Sequence, residues 1–170
     1  AILSDIHGND VALNAVLKDV KNAGIDRLFL LGDLVGYYYH PLEVLTQLAS
    51  FETTVIRGNH EAMMGVSRHD KEAAQKVHAK YGSGVKYALE KLSATQIDDL
   101  LALPEIAEVT IDEITFLLCH GSPWANDAYI YPDASKEILR KCTEQDADFI
   151  LLGHTHRPFV YSNNGTVLLN

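Results

Sequence analysis

Apolar residues fall along this chain in two rhythms. Short solid runs alternate with longer stretches in which apolar positions recur every three or four residues. Ala1–Leu3, Leu28–Leu31, Thr53–Ile56, Ile114–Cys119 and Phe149–Leu152 are the solid runs, and runs of this length read as buried strands. Between the first two, Leu13, Val16, Leu17 and Val20 form one helical stripe, with Asp10 as its expected N-cap and Gly24 as its stop. Pro41 opens a second helix at its first turn. Residues 62–104 hold no strand-like run and predict two or three helices, interrupted near Gly82 and Gly84. Ser93 and Gln96 there fit a capping box, and Pro104 closes the segment. This block is expected either over the site as a cap or against one sheet face. Ser135 can cap a helix bearing Ile138, Leu139 and Cys142. Hairpins are expected about Asp112-Glu113, joining 106–111 to 114–119, and about Asn163-Asn164-Gly165.

All five solid runs end in polar, ligand-type residues. Asp5 and His7 follow the first, and Gly32-Asp33 the second. Asn59 and His60 follow the third, His120 the fourth, and His154 and His156 the fifth. Five of the eight histidines lie at these strand ends, while His40, His69 and His78 read as ordinary surface residues. Open α/β sheets keep their ligands at the carboxyl ends of strands, so one convergent site explains the five endings together. Imidazole, carboxylate and amide donors without thiolate suit Mn, Fe, Zn or Ni. Eight such residues are too many for one four-coordinate ion and suit two ions sharing a carboxylate, an arrangement that can clamp both oxygens of a phosphoryl transfer.

Composition narrows the picture further. A chain of 170 residues with 47% hydrophobic content is read as a single domain with an ample core. Both of its ends look cut short. The net charge of −9 and the lack of a basic stripe argue against stable nucleic-acid binding. Metal ions could still supply positive charge for a phosphate substrate. Two cysteines make no disulfide framework, which favours a reducing, cytoplasmic setting. No apolar stretch approaches a membrane span, so no membrane association is expected. Self-association is left open.

Asp5-x-His7, Gly32-Asp33, Gly58-Asn59-His60-Glu61, His120-Gly121 and Gly153-His154-x-His156, in this order and spacing, resemble the calcineurin-like metallophosphoesterase family. The opening motifs look most like its small prokaryotic phosphodiesterase branch. The resemblance implies an α/β fold, a four-layer α/β/β/α sandwich of two mixed sheets with flanking helices. It implies that Asp5, His7 and His156 hold one metal, that Asn59, His120 and His154 hold a second, and that Asp33 bridges them. Attack on phosphorus by a hydroxide bound to the two metals would follow, with His60 as general acid or, alternatively, as a hydrogen bonder behind the ligands. Diester or small phosphoester substrates are favoured over phosphoproteins, because the Asp and Arg that protein serine/threonine phosphatases carry after Gly-Asp are replaced here by Gly36-Tyr37-Tyr38. The usual carboxylate partner of the catalytic His is therefore missing. Arg57 does match that phosphatase branch, as a phosphate contact or as a sheet-edge ion pair. Tyr37, with Tyr38 and Tyr39, could stack a nucleobase or simply pack its loop. A protein phosphatase, a nuclease and a non-catalytic scaffold are the alternative readings. A scaffold would be expected to lose several ligands, and this sequence retains them all.

Overall fold

The computed structural model describes residues 1–170. Three strands, β1 (Ile2–Leu3), β2 (Arg27–Leu30) and β3 (Glu52–Val55), pair side by side in that order. A second sheet holds β4 (Ile106–Ile111), β5 (Ile114–Cys119), β6 (Phe149–Leu151), β7 (Val160–Asn163) and β8 (Thr166–Leu169). Its spatial order is β4-β5-β6-β8-β7. Helices α1 (Asp10–Asn22) and α2 (Pro41–Leu48) link the strands of the first sheet.

Period-2 alternation builds the layers. Leu28 and Leu30 of β2 face α1 and α2, meeting Leu13, Leu17, Val44 and Leu48. Phe29 and Leu31 point the other way, into a core shared with Leu118 and Leu151 of the second sheet. The outer face of that sheet, with Cys119, Ile150 and Leu168, is covered by Leu139 and Cys142 of α7 (Lys136–Cys142). The result is the expected α/β/β/α order of layers. Each fully buried leucine contributes roughly 1.5–3 kcal/mol, whereas exposed ion pairs such as Lys76–Glu72 add at most about 1 kcal/mol. The layers, not the surface charges, hold the fold.

Only the second sheet is mixed. The first is wholly parallel, a departure from the two mixed sheets expected, because both of its connections are helices and a helical crossover returns the chain in the same direction. The second sheet gains its antiparallel pairs from two hairpins. Both turn pairs, Asp112-Glu113 and Asn164-Gly165, have positive φ throughout, as the tight two-residue turns of a right-twisted hairpin require.

Two local expectations shift. Asn9, not Asp10, caps α1, accepting a hydrogen bond from the Ala12 N–H at 3.1 Å, and Asp10 is the first helical residue. The helical block has four helices rather than two or three: α3 (Asn59–His69), α4 (Lys71–Tyr81), α5 (Gly84–Lys91) and α6 (Ala94–Ala102). It begins inside the Gly58-Asn59-His60-Glu61 motif rather than after it. Met64, Val85, Ala88, Ile97 and Leu100 bury it against the first sheet's outer core. Helix α4 buries no residue of its own, and its end carries Tyr81 to the site. The block therefore both covers a sheet face and reaches the site. No helix is long and apolar enough to cross a membrane.

Candidate metal centre

The strand-end residues do converge. Asp5, His7 and His156 bring ligand atoms within 4.8 Å of one another, as do Asp33, His120 and His154, and His7, Asp33 and His60 form a third such group. The groups share members, so they make one cluster. Asp33 stands at its centre, with Oδ2 3.3 Å from His120 Nε2 and 3.7 Å from His7 Nε2. Asp5 Oδ1 lies 3.2 Å from His156 Nε2. Asn59 enters from the first turn of α3, its Oδ1 2.8 Å from His120 Nε2.

Backbone geometry explains how so many side chains fit. Asp5, His7, Asp33, His154 and His156 all have φ between 54° and 67°. A left-handed residue turns the chain sharply as it leaves the strand, so Asp5 and His7, only two residues apart, can both face the centre. Such residues cost roughly 1–2 kcal/mol each, and strain of this kind collects where function needs it. Close approach adds to the density. A side chain at Gly58 would place its Cβ 2.1 Å from Asp33 Oδ1.

The rings are held in one orientation. His7 Nδ1 lies 3.1 Å from Val35 O, and His120 Nδ1 lies 2.7 Å from Leu31 O. With Nδ1–H donated to a carbonyl, Nε2 is turned inward in both. Asp5 Oδ2 accepts from Ser4 Oγ and from the His154 N–H, which leaves Oδ1 directed at the cluster. Asp33 Oδ1 accepts from the His60 N–H at 2.8 Å.

Electrostatics follow from this crowding. Burial alone would depress His120, but the hydrogen bond and charge of Asp33 outweigh it and lift the ring to about 9. Burial would raise Asp33, and His120 in turn holds it below the usual carboxylate range. Burial pushes His60 down to about 4 and lowers His7 and His154 as well. His120 Nε2 faces Asn59 Oδ1 at 2.8 Å and Asp33 Oδ2 at 3.3 Å. On the other side, Nε2 of His7 and of His156 face each other at 3.2 Å. Asp5 Oδ1 and His154 Nε2 are buried with no hydrogen-bond partner. Convergent lone pairs and orphaned buried acceptors are what a cation needs, and the nitrogen-and-oxygen donor set fits divalent metal ions.

The whole chain, residues 1–170, matches the model of the calcineurin-like phosphoesterase superfamily domain. The chain belongs to that superfamily. It lies close to the small prokaryotic and archaeal phosphoesterases, as its opening motifs suggest. Among its relatives, the uncharacterized protein MJ0912 of Methanocaldococcus jannaschii is 33% identical over 174 positions, spanning all of this chain and 67% of that one. The crystal structure of the hypothetical protein PH1004 from Pyrococcus horikoshii superposes with a TM-score of 0.81 at 25% identity, over 99% of this chain and 74% of that one. A metallophosphoesterase from Sphaerobacter thermophilus gives a TM-score of 0.72 at 26% identity, with the same coverage.

Not every residue singled out in this superfamily member's sequence reaches the cluster. Arg57 is spent elsewhere, donating to Leu101 O and to the Glu105 carboxylate, both at 2.7 Å. The ion-pair alternative is the one observed. The three tyrosines separate. Tyr37 touches His7 and His60, with ring centroids at 4.6 and 4.9 Å. Tyr39 instead pairs with Tyr87 of α5. Three residues at the site had no role assigned from sequence. Glu61, fully buried, accepts from the N–H groups of Asp33, Val35 and Gly58 at 2.9 to 3.1 Å, and burial with the nearby Asp33 charge pushes its carboxyl up to about 7. Its signal was a carboxylate three residues before the buried Met64, on the inner stripe of a helix. Tyr81 and Tyr129 lie against His60 and His154. Tyr81 is a single aromatic in a polar helix, and Tyr129 belongs to a loop marked in sequence by Trp124, Tyr129 and Tyr131, a cluster that carried no assigned role.

Proposed function

We propose that this chain hydrolyses phosphodiesters or other small phosphoesters with two divalent ions, drawn from Mn, Fe, Zn or Ni. Asp5, His7 and His156 would hold one ion, and Asn59, His120 and His154 the other, with Asp33 common to both. When bound, such ions neutralise phosphoryl oxygens and acidify water. One observation carries the reading: Asp33 Oδ2 faces the inward nitrogens of His7 and His120 at once, from the middle of the donor set.

The chain's own residues do the rest. His60 is buried beside Asp33, and its Nδ1 has no hydrogen-bond partner. As general acid it would hand a proton to the departing oxygen, a role that requires the negative charge of a bound phosphoester to raise the ring from about 4 towards the working pH. His156, half exposed, leaves the cluster open on one side for substrate. No carboxylate is hydrogen-bonded to the His60 ring, which separates this arrangement from the His–Asp pair of protein phosphatases and favours small substrates with good leaving groups.

A metal-by-substrate screen tests this directly. Mn, Ni, Co, Zn and Mg would be set against aryl monoester, aryl diester, cyclic nucleotide and dinucleotide substrates. Turnover is expected with at least one ion and to be abolished by chelation. Asp33→Asn should lower it by more than about 100-fold, because even a residue that merely orients a ligand is worth 10- to 100-fold. His60→Ala should cost about 100- to 10,000-fold while metal content stays at the wild-type level. Turnover indifferent to chelation and to Asp33→Asn would end the proposal, and turnover unchanged in His60→Ala would end the acid assignment alone.

A further inference from the structure

The cluster opens into a cleft of about 460 Å³ that begins at Asn59 and His154. Its walls come from α3, the end of α4 and the loop after β5. They carry aromatic and aliphatic groups right up to the donor set. Tyr81 stands edge-on to His60, centroids 5.2 Å apart at 70°. Tyr129 lies over His154 at 4.1 Å and stacks on Tyr131 at 5.7 Å and 17°. Met63 and Val66 of α3 add apolar wall. Tyr129 is 54% exposed and Val66 58% exposed, so this lining costs hydrophobic surface in contact with water. Exposed apolar surface that continues into a polar centre marks a place where something binds.

The charges limit what that can be. Lys80, above the Tyr81 ring at 4.8 Å, is the one cation on the wall besides the site histidine, and Glu105 and Asp127 oppose it. A cleft with this balance repels a polyanion, so a long nucleic acid or a multiply phosphorylated peptide is a poor occupant. Two aromatic rings in the lining suit a flat, uncharged group better than an alkyl chain. Both rings are already propped by neighbours, which keeps the entropy cost of using them low.

We infer that this cleft takes the planar heteroaromatic group of a nucleotide-type phosphoester, with Tyr81 and Tyr129 as the stacking residues that set specificity. The inference rests on the phosphoesterase reading, which places the phosphate at the donor set next door. Base-on-aromatic stacking strengthens binding by about 5- to 150-fold per base.

Equilibrium binding to the Mn-loaded full chain tests it, using AMP and ribose 5-phosphate, which differ only by adenine. Wild-type protein should bind AMP at least about 5-fold tighter than ribose 5-phosphate. Tyr81→Ala and Tyr129→Ala should each shrink that ratio towards one while moving ribose 5-phosphate by no more than about twofold, and Tyr129→Phe, which keeps the ring, should preserve the ratio. Tyr129 is exposed, so its variants decide the matter even where Tyr81→Ala fails to fold. Equal affinity of the two probes for wild type, or a ratio that survives both alanine changes, overturns the stacking assignment and leaves the phosphoesterase reading standing. Failure of both probes to bind metal-loaded wild type, together with no turnover in the screen, takes down both.

Discussion

Glu61 faces away from the donor lone pairs yet fixes the residues that supply them. Its carboxylate gathers the N–H groups of Asp33, Val35 and Gly58, tying the loop after β2 to the start of α3. Those two segments bring in Asp33 and Asn59. Removing the acceptor leaves three buried donors without partners, and each such group costs about 1–3 kcal/mol. Glu61→Ala should therefore lose at least about 3 kcal/mol in denaturant unfolding and bind metal more weakly. A change of stability under about 1 kcal/mol would show that water or a neighbour takes over. At this scale the sequence spoke only in part. Residue types at strand ends revealed which side chains could ligate. The left-handed φ of Asp5, His7 and His156 could not be read, because Asp and His occupy both left-handed and extended backbone. The outer partners of the rings are main-chain carbonyls and leave no mark in the sequence at all.

Elements were legible where apolar spacing was regular and obscure where a helix starts without a side-chain cap. Gly58 precedes α3 and offers none, so the motif containing Asn59 and His60 read as loop. The helix start nevertheless matters, since it presents the His60 N–H to Asp33 Oδ1. The two glycines at the end of α4 and the start of α5 differ in kind. A Cβ at Gly84 would fall 1.0 Å from Gly36 O, whereas one at Gly82, φ +80°, meets nothing within 4 Å. The helical block is thus seated backbone to backbone on the loop that carries Tyr37. Gly84→Ala should cost about 1–3 kcal/mol through forced separation and should disturb the site. Gly82→Ala should cost about 1–2 kcal/mol from backbone strain alone and leave metal binding as it was. Comparing the metal affinities of the two variants checks the distinction, and equal affinities would refute it.

For the molecule as a whole, solid apolar runs and amphipathic stripes marked the strands and helices, while their arrangement as two sheets with helical covers was what the family resemblance implied. Which sheet would be mixed followed less well, since that depends on connections rather than on the strands themselves. Cys119 and Cys142 show how completely the second sheet and α7 close on each other. Burial pushes their thiols up to about 12 and about 11. A raised thiol pKa in the folded state means that the folded chain holds its proton more tightly than the unfolded one. The associated stability is intact below the ordinary value of 9.0 and drains away as pH climbs from there towards 11 and 12. Native protein at neutral pH should resist iodoacetamide and react fully once unfolded, and the denaturation midpoint should fall with rising alkalinity more gently in a Cys119→Ala, Cys142→Ala double variant. Rapid labelling of the native chain would contradict the packing. The carbonyls of Leu31 and Val35 that steer His120 and His7 carry a last consequence. Every amino acid owns such an oxygen, so exchanging either side chain for another apolar one leaves the aim of both imidazoles untouched. The core beneath the two rings is free to drift in sequence while the cluster above it stays in register.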